Sequence, residues 1–170
     1  MDSQSQYEAV MLRIVPAHSE ETIAQARILF REYATTTGVE VCLVDYEREL
    51  ASLPGLYAPP SGRLLLAIKE SAGSAKEPIG CAALRQFEPG ACELKRLYVR
   101  HAFRGQGAGR ELVRDLIAEA RSIGYRRMLL DTLPSMQEAH KIYRALGFRE
   151  IPAYQKNPIP GSLFFELFLD

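Results

Sequence analysis

The run Leu97-Tyr98-Val99-Arg100-His101-Ala102-Phe103-Arg104-Gly105-Gln106-Gly107-Ala108-Gly109-Arg110 decides how the chain reads. A β-rich segment enters a cluster of glycines, and from them Leu112, Val113, Leu116, Ile117 and Ala120 step through a helix that Gly124 closes. A strand that turns through glycines into a helix is suited to holding an anion. The first helical N–H groups have no intrahelical partners, the dipole is positive there, and glycine lets a ligand approach the backbone. Arg96, Arg100, Arg104, Arg110 and Arg114 make the same stretch basic, which favours a ligand bearing a di- or triphosphate. The P-loop pattern fails, because no Lys-Ser or Lys-Thr follows the glycines. The dinucleotide pattern fits Gly105 and Gly107 but meets Arg110 at its third glycine, although Asp131 stands near the position of a ribose ligand.

Working outward, Cys92 to Val99 reads as a strand with Glu93, Lys95, Leu97 and Val99 on one face and Leu94, Arg96 and Tyr98 on the other. Arg127 to Asp131 is the next strand, and the long helix between them makes the two parallel in a right-handed β-α-β unit. Ser135 is placed to cap a further helix, whose stripe is Met136, Ala139, His140, Tyr143 and Leu146, with Gly147 at its end. Upstream, a strand over Val10–Val15 precedes a helix capped by Ser19, with Glu20 and Glu21 in its first turn. Ile23, Ala26, Leu29, Phe30 and Tyr33 form the apolar face of that helix, which ends near Gly38. A short helix within Val44–Leu53 and strands over Arg63–Lys69 and Ile79–Phe87 follow. The last strand is Leu163–Leu169, with Phe164, Glu166 and Phe168 sharing a face. Strands mixed with helices, without repeat or linker, predict one α/β domain over residues 1–170.

The motif Arg-x-x-Gly-x-Gly at Arg104, Gly107 and Gly109, preceded by Leu97-Tyr98-Val99, strongly resembles the acyl-CoA loop of the GNAT N-acyltransferase superfamily. Ala139-x-x-x-Tyr143-x-x-x-Gly147-Phe148 resembles that family's late helix and the strand after it, so the specific likeness covers about residues 63–148. The resemblance implies a central mixed sheet flanked by helices, whose parallel strands Cys92–Val99 and Arg127–Asp131 splay to admit the pantetheine arm of acetyl-CoA. Leu97 and Val99 would pair with that arm through their backbones, and Arg104, Gly105, Gln106, Gly107, Ala108, Gly109 and Arg110 would hold the pyrophosphate. One departure is Met136, which stands where the family often has an asparagine that helps hold CoA.

Acetyl transfer from a thioester to an amine needs a nitrogen that has lost a proton and a thiolate that gains one. An alkylammonium titrates near 10.4, roughly the lysine value, so at neutral pH a base or a water chain must take the proton. Glu93 is the candidate base, at the position that resembles the catalytic glutamate of members acting on lysine side chains; its alternative is a strand residue paired with Lys95. Tyr143 is the candidate acid, since a phenol titrating near about 10 is protonated at neutral pH; its alternative is a core aromatic. Phe30, Tyr33, Tyr57, Arg85, Tyr154, Asn157 and Glu166 are candidates for the acceptor pocket.

Among 170 residues, 21 Lys and Arg balance 21 Asp and Glu, which gives no overall field for nucleic acid or an anionic membrane. Met1–Glu8 is polar, without a basic-then-apolar leader, and the longest aliphatic run, Leu64–Ile68, is far too short for a membrane span, so a cytoplasmic location is expected. Cys42, Cys81 and Cys92 are odd in number without a C-x-x-C pair, and His18, His101 and His140 lack ligand spacing, so neither disulfides nor a metal are expected. The sequence thus predicts an acetyl-CoA-dependent N-acetyltransferase acting directly on a small-molecule primary amine, without metal, and homodimerisation is left open. Its rivals are a protein lysine or N-terminal acetyltransferase and a non-catalytic acyl-CoA-binding module.

Overall fold

The computed structural model describes residues 10–37, 43–156 and 158–170. In chain order its elements are β1 (Met11–Pro16), α1 (Glu20–Thr37), α2 (Leu43–Ser52), β2 (Arg63–Glu70), β3 (Glu77–Glu88) and β4 (Ala91–Val99). Then come α3 (Ala108–Ile123), β5 (Arg127–Thr132), α4 (Gln137–Ala145), β6 (Arg149–Ile151) and β7 (Leu163–Phe168). The helix end expected near Gly38, Cys42, Asn157 and the polar start Met1–Glu8 lie outside the described residues. No described helix is long and apolar enough to cross a membrane.

The seven strands form one mixed sheet in the order β1-β2-β3-β4-β5-β7-β6. Its neighbours are antiparallel except β4 and β5, the pair joined through α3, because a parallel pair needs a crossover. Helix α1 starts as its sequence dictates, with the Thr22 amide donating to Ser19 Oγ at 3.2 Å. The stripe of α3 (Leu112, Val113, Leu116) packs with Tyr143 of α4 against Leu84, Leu94, Met128 and Leu130. On the opposite face, Leu29 and Phe30 of α1 and Tyr46 and Leu50 of α2 cover Leu64, Leu66, Cys81 and Ala83. Each fully buried Leu or Phe contributes about 1.5–3 kcal/mol, so both faces hold the sheet firmly.

Three local expectations are corrected. Helix α4 begins one residue later than Ser135 would place it, with Met136 at the cap and no side-chain capping bond. Arginines 96 and 100 are drawn from the glycine loop to α2 and α1, where they pair with Glu49 and Glu32, both at 2.7 Å, while Arg114 pairs within α3 with Glu111 at 3.2 Å. The third correction concerns the faces of β4. Cys81 stands opposite Tyr98 and Ala83 opposite Lys95, so Ala82 alone answers both Arg96 and Leu97. This is a β-bulge, and Arg96 takes a left-handed φ of 59° to make it. A strict alternation slips by one there, so Leu97 joins Cys92 and Leu94 in the α3-side core, while Tyr98 joins the α1 side. Glu93, Lys95 and Arg96 therefore also face α1 and α2. Such a backbone costs about 1–3 kcal/mol. Two bonds from Arg96 to Glu49, at 2.7 and 3.3 Å, and its packing over the rings of Tyr33 and Tyr46 offset that cost.

Candidate active site

The β4–β5 ladder runs only from Ala91 to Glu93 on one strand and Arg127 to Leu129 on the other. Beyond it the strands diverge, leaving a cleft of about 90 Å³ lined by Lys95, Leu97, Asp131, Met136, Tyr143 and Ile159 among others. Strand β3 holds the far edge of β4, pairing Gly80 with Val99 and Cys81 with Tyr98. The edge of β4 facing the cleft is open, and an extended amide-bearing chain can add to it as a strand would. This is the edge on which Leu97 and Val99 were expected to act.

At the end of β4 the glycines of the loop divide the work. Gly105 and Gly107 hold φ of 75° and 91°, and nothing lies within 4 Å of where a Cβ would stand. They bend the chain and leave open space above it. Gly109 is needed for packing: a Cβ there would lie 3.1 Å from Ile142 Cδ1 of α4. The amide of Glu111 donates to the Gly107 carbonyl at 3.0 Å, so the N–H groups of Ala108, Gly109 and Arg110 precede the first helical bond and point out of the positive end of α3. Arg104 bends back to donate from Nε to the Val99 carbonyl at 2.9 Å, and Arg110 is exposed beside the helix start. The loop can hold an anion chiefly through its backbone.

Tyr143 reaches the cleft from α4 with its ring buried against Phe148 and Phe165. Its hydroxyl makes no hydrogen bond to another described residue. Tyr143 is one of the residues that line the cleft, although only 2% of it is exposed. Burial, reinforced by Tyr33 and Asp131, pushes its pKa well above the ordinary phenol value, so the group keeps its proton at neutral pH. Met136 lines the same cleft and brings a thioether in place of an amide.

Glu93 lies where β4 and β5 last pair, with no solvent exposure. Arg85 donates to its Oε1 from Nε at 2.9 Å and Nη2 at 2.7 Å. Tyr154 and Gln155 donate to Oε2 at 2.8 and 3.4 Å, and Lys95 Nζ stands 3.9 Å from Oε1. The principal partner is thus Arg85 rather than Lys95, the partner in the alternative reading, and Lys95 bridges the cleft to Asp131 at 3.1 Å. Both oxygens of Glu93 thus already accept hydrogen bonds from the protein's own side chains. Tyr154 stands edge-on to Phe87 and Phe164, and burial together with Glu93 raises its pKa.

Of the other acceptor candidates, Tyr33 lines the cleft. Phe30 and Tyr57 are core, with the Tyr57 hydroxyl on Glu49. Glu166 meets cations, Arg127 at 3.2 Å and Arg149 at 3.8 Å. His140 is a satisfied core histidine beside Thr132 and Leu133, and burial lowers its pKa. Cys81 and Cys92 are buried thiols, Cys92 pushed up to about 12 by burial. Sequence reasoning missed Lys95, Asp131 and Gln155 as members of this site. The usable signal was Asp131 itself, a charge ending the strand that borders the gap.

Three comparisons agree with this geometry. The profile of the family described as "Acetyltransferase (GNAT) family" matches residues 26–148. An uncharacterised N-acetyltransferase of Schizosaccharomyces pombe is 37% identical over 142 residues, 83% of this chain and 85% of that protein. Among solved structures, a GNAT-family acetyltransferase of Staphylococcus aureus superposes with a TM-score of 0.77 at 18% identity, covering 94% of this chain and all of that one. The Salmonella typhimurium protein yncA, solved with its cofactor acetyl-CoA, superposes with a TM-score of 0.64 at 22% identity, over 94% of each chain.

Proposed function

Because the chain belongs to the GNAT acetyltransferase family and is an acetyl-CoA-dependent N-acyltransferase, we propose that its acceptor is the primary amine of a small molecule. The reading rests on one observation above all, the placement of Tyr143 in the lining of the gap between β4 and β5, its hydroxyl without a hydrogen-bond partner among the described residues. In this reading the pyrophosphate of acetyl-CoA lies on the N–H groups from Gly105 to Arg110, with Arg104 beside them. The pantetheine arm runs along the open edge of β4, against the backbones of Leu97 and Val99, and brings the thioester to Tyr143. Tyr33 and Ile159 line the same cleft, where the acceptor would meet the thioester.

The acceptor ammonium loses a proton through the cleft to solvent, and its nitrogen attacks the thioester carbonyl. The C–N bond forms, the C–S bond breaks, and Tyr143 donates its O–H to the sulfur as charge develops there. The attacking nitrogen then loses its second proton, which returns to the Tyr143 phenolate, so amide, free thiol and neutral tyrosine remain. Fixing the two reactants side by side supplies much of the acceleration. Glu93 acts at one remove: it holds Arg85 and Tyr154 in place and does not itself take the proton. The test is thiol release from acetyl-CoA with amino acids, polyamines, aminoglycosides and peptides offered separately. Turnover with small amines supports the reading, and turnover confined to peptides overturns it.

A further inference from the structure

Four side chains of β3, β4 and β5 form a continuous ladder of alternating charge. Arg85 Nη2 lies 2.7 Å from Glu93 Oε1, Lys95 Nζ lies 3.9 Å from the same oxygen, and Lys95 Nζ lies 3.1 Å from Asp131 Oδ1. The inner members are sealed, with side-chain exposures of 0% for Glu93 and 13% for Lys95. The ends are open, at 32% for Arg85 and 30% for Asp131. A ladder that served only to tie β3, β4 and β5 together would gain nothing from exposing its ends. This one shows a guanidinium at one end and a carboxylate at the other, joined through Glu93 and Lys95 by contacts of 2.7, 3.9 and 3.1 Å. Both bonds from Arg85 go to Oε1 of Glu93 from Nε and Nη2, and among the described residues its Nη1 has no partner. A buried carboxylate on the Nε side fixes the plane of the guanidinium and turns its outer edge to a ligand, the arrangement that suits a second carboxylate. The Asp131 end lies at the cleft with Tyr143, where a nitrogen must arrive to attack.

We propose that the acceptor is a zwitterion, an amino acid whose carboxylate is taken by Arg85 and whose ammonium is received by Asp131. This rests on the small-molecule reading above and narrows it. Glu93 and Lys95 are then positioning residues: each neutralises and orients the ligand-binding charge next to it. The arrangement also excludes simple polyamines, which would set a second ammonium against Arg85, and unlike pairs are favoured where like charges are penalised.

The test uses the intact chain with acetyl-CoA and three forms of each acceptor: the free amino acid, its carboxamide and the decarboxylated amine. Free amino acids are expected to have kcat/KM about 10²-fold higher than their two analogues, mostly through KM, as a site built for a charged group rejects ligands lacking it. Equal or better turnover of the carboxamide or the amine overturns the zwitterion while leaving the small-molecule reading standing. Turnover of peptides alone overturns both. The second arm is Arg85→Gln with the preferred acceptor. The preference for the free amino acid over the decarboxylated amine is expected to shrink at least about 10-fold, mostly through a higher KM for the free amino acid, whatever loss the variant causes with all acceptors alike. An equal loss with all three acceptor forms reduces Arg85 to a strut of the sheet. If that variant does not fold, the three-acceptor comparison in the unaltered enzyme decides alone.

Discussion

From Arg104 to Arg110 the groups that can meet a ligand are backbone N–H groups at the start of α3, whereas the face between β3 and β5 presents side chains, Arg85, Lys95 and Asp131, each braced by another charge. The loop depends on dihedral angles, and two glycines with positive φ supply them. The acceptor face depends on strand register, on a bulge at Arg96, and on charges that come from positions far apart in the chain. The first kind of site tolerates changes of side chain and fails when its backbone is stiffened. The second fails when a single partner is removed, because the charge left behind has no water to turn to.

The largest effect is expected where the two regions meet. Tyr143→Phe keeps the ring among Phe148 and Phe165 and removes only the donor, so kcat should fall by about 10²-fold or more while acetyl-CoA binding stays within a few-fold. Steady-state rates and a binding titration check this together, and a near-normal kcat would leave Tyr143 a core aromatic. Since burial raises the Tyr143 pKa, the phenol stays protonated beyond its usual range, and kcat should show no fall near pH 10, roughly the ordinary phenol value.

A smaller effect is expected at Glu93. Glu93→Gln leaves Arg85 with a weaker partner, so stability should drop by about 1–3 kcal/mol and kcat/KM by about 10-fold. The pH profiles of variant and wild type over roughly pH 6–10 should run parallel, because Glu93 holds the machinery without taking the proton. Rescue of the variant at alkaline pH would restore Glu93 as the base. The smallest effect belongs to Arg104, whose observed bond goes to the Val99 carbonyl. Arg104→Ala should weaken acetyl-CoA binding by less than about 10-fold, the scale of one exposed charge contact. A loss beyond that would mean the loop relies on its side chains after all.

The sequence made the first region legible because everything that builds it is local. Strand, glycines and helix follow one another within a few turns, and the stripe of α3 and the Gly147 stop of α4 obey the same short-range rules. The sheet order around the parallel pair also followed, since the crossover permits few arrangements. The second region was readable only in pieces. Arg85, Tyr154 and Glu93 could be named one by one, but their meeting depends on β3–β4 pairing and on a segment after β6 that no period encodes. Alternation along β4 misassigned Leu97 and Val99 because nothing in the residue types announces the extra residue at Arg96. The arginines near the loop misled for a related reason: their carboxylate partners Glu32 and Glu49 sit in α1 and α2, far away in sequence.

The most direct test of a backbone-made cofactor site is calorimetric titration of acetyl-CoA into wild type and Gly107→Val. A β-branched residue at a φ of 91° is strained, and its side chain would stand in the open space where the pyrophosphate is placed. A backbone-made site predicts a well-folded variant whose acetyl-CoA affinity has fallen by about 10-fold or more, from strain of about 1–3 kcal/mol and the blocked approach together. Unchanged affinity in a folded Gly107→Val protein would contradict it and move the cofactor away from this loop.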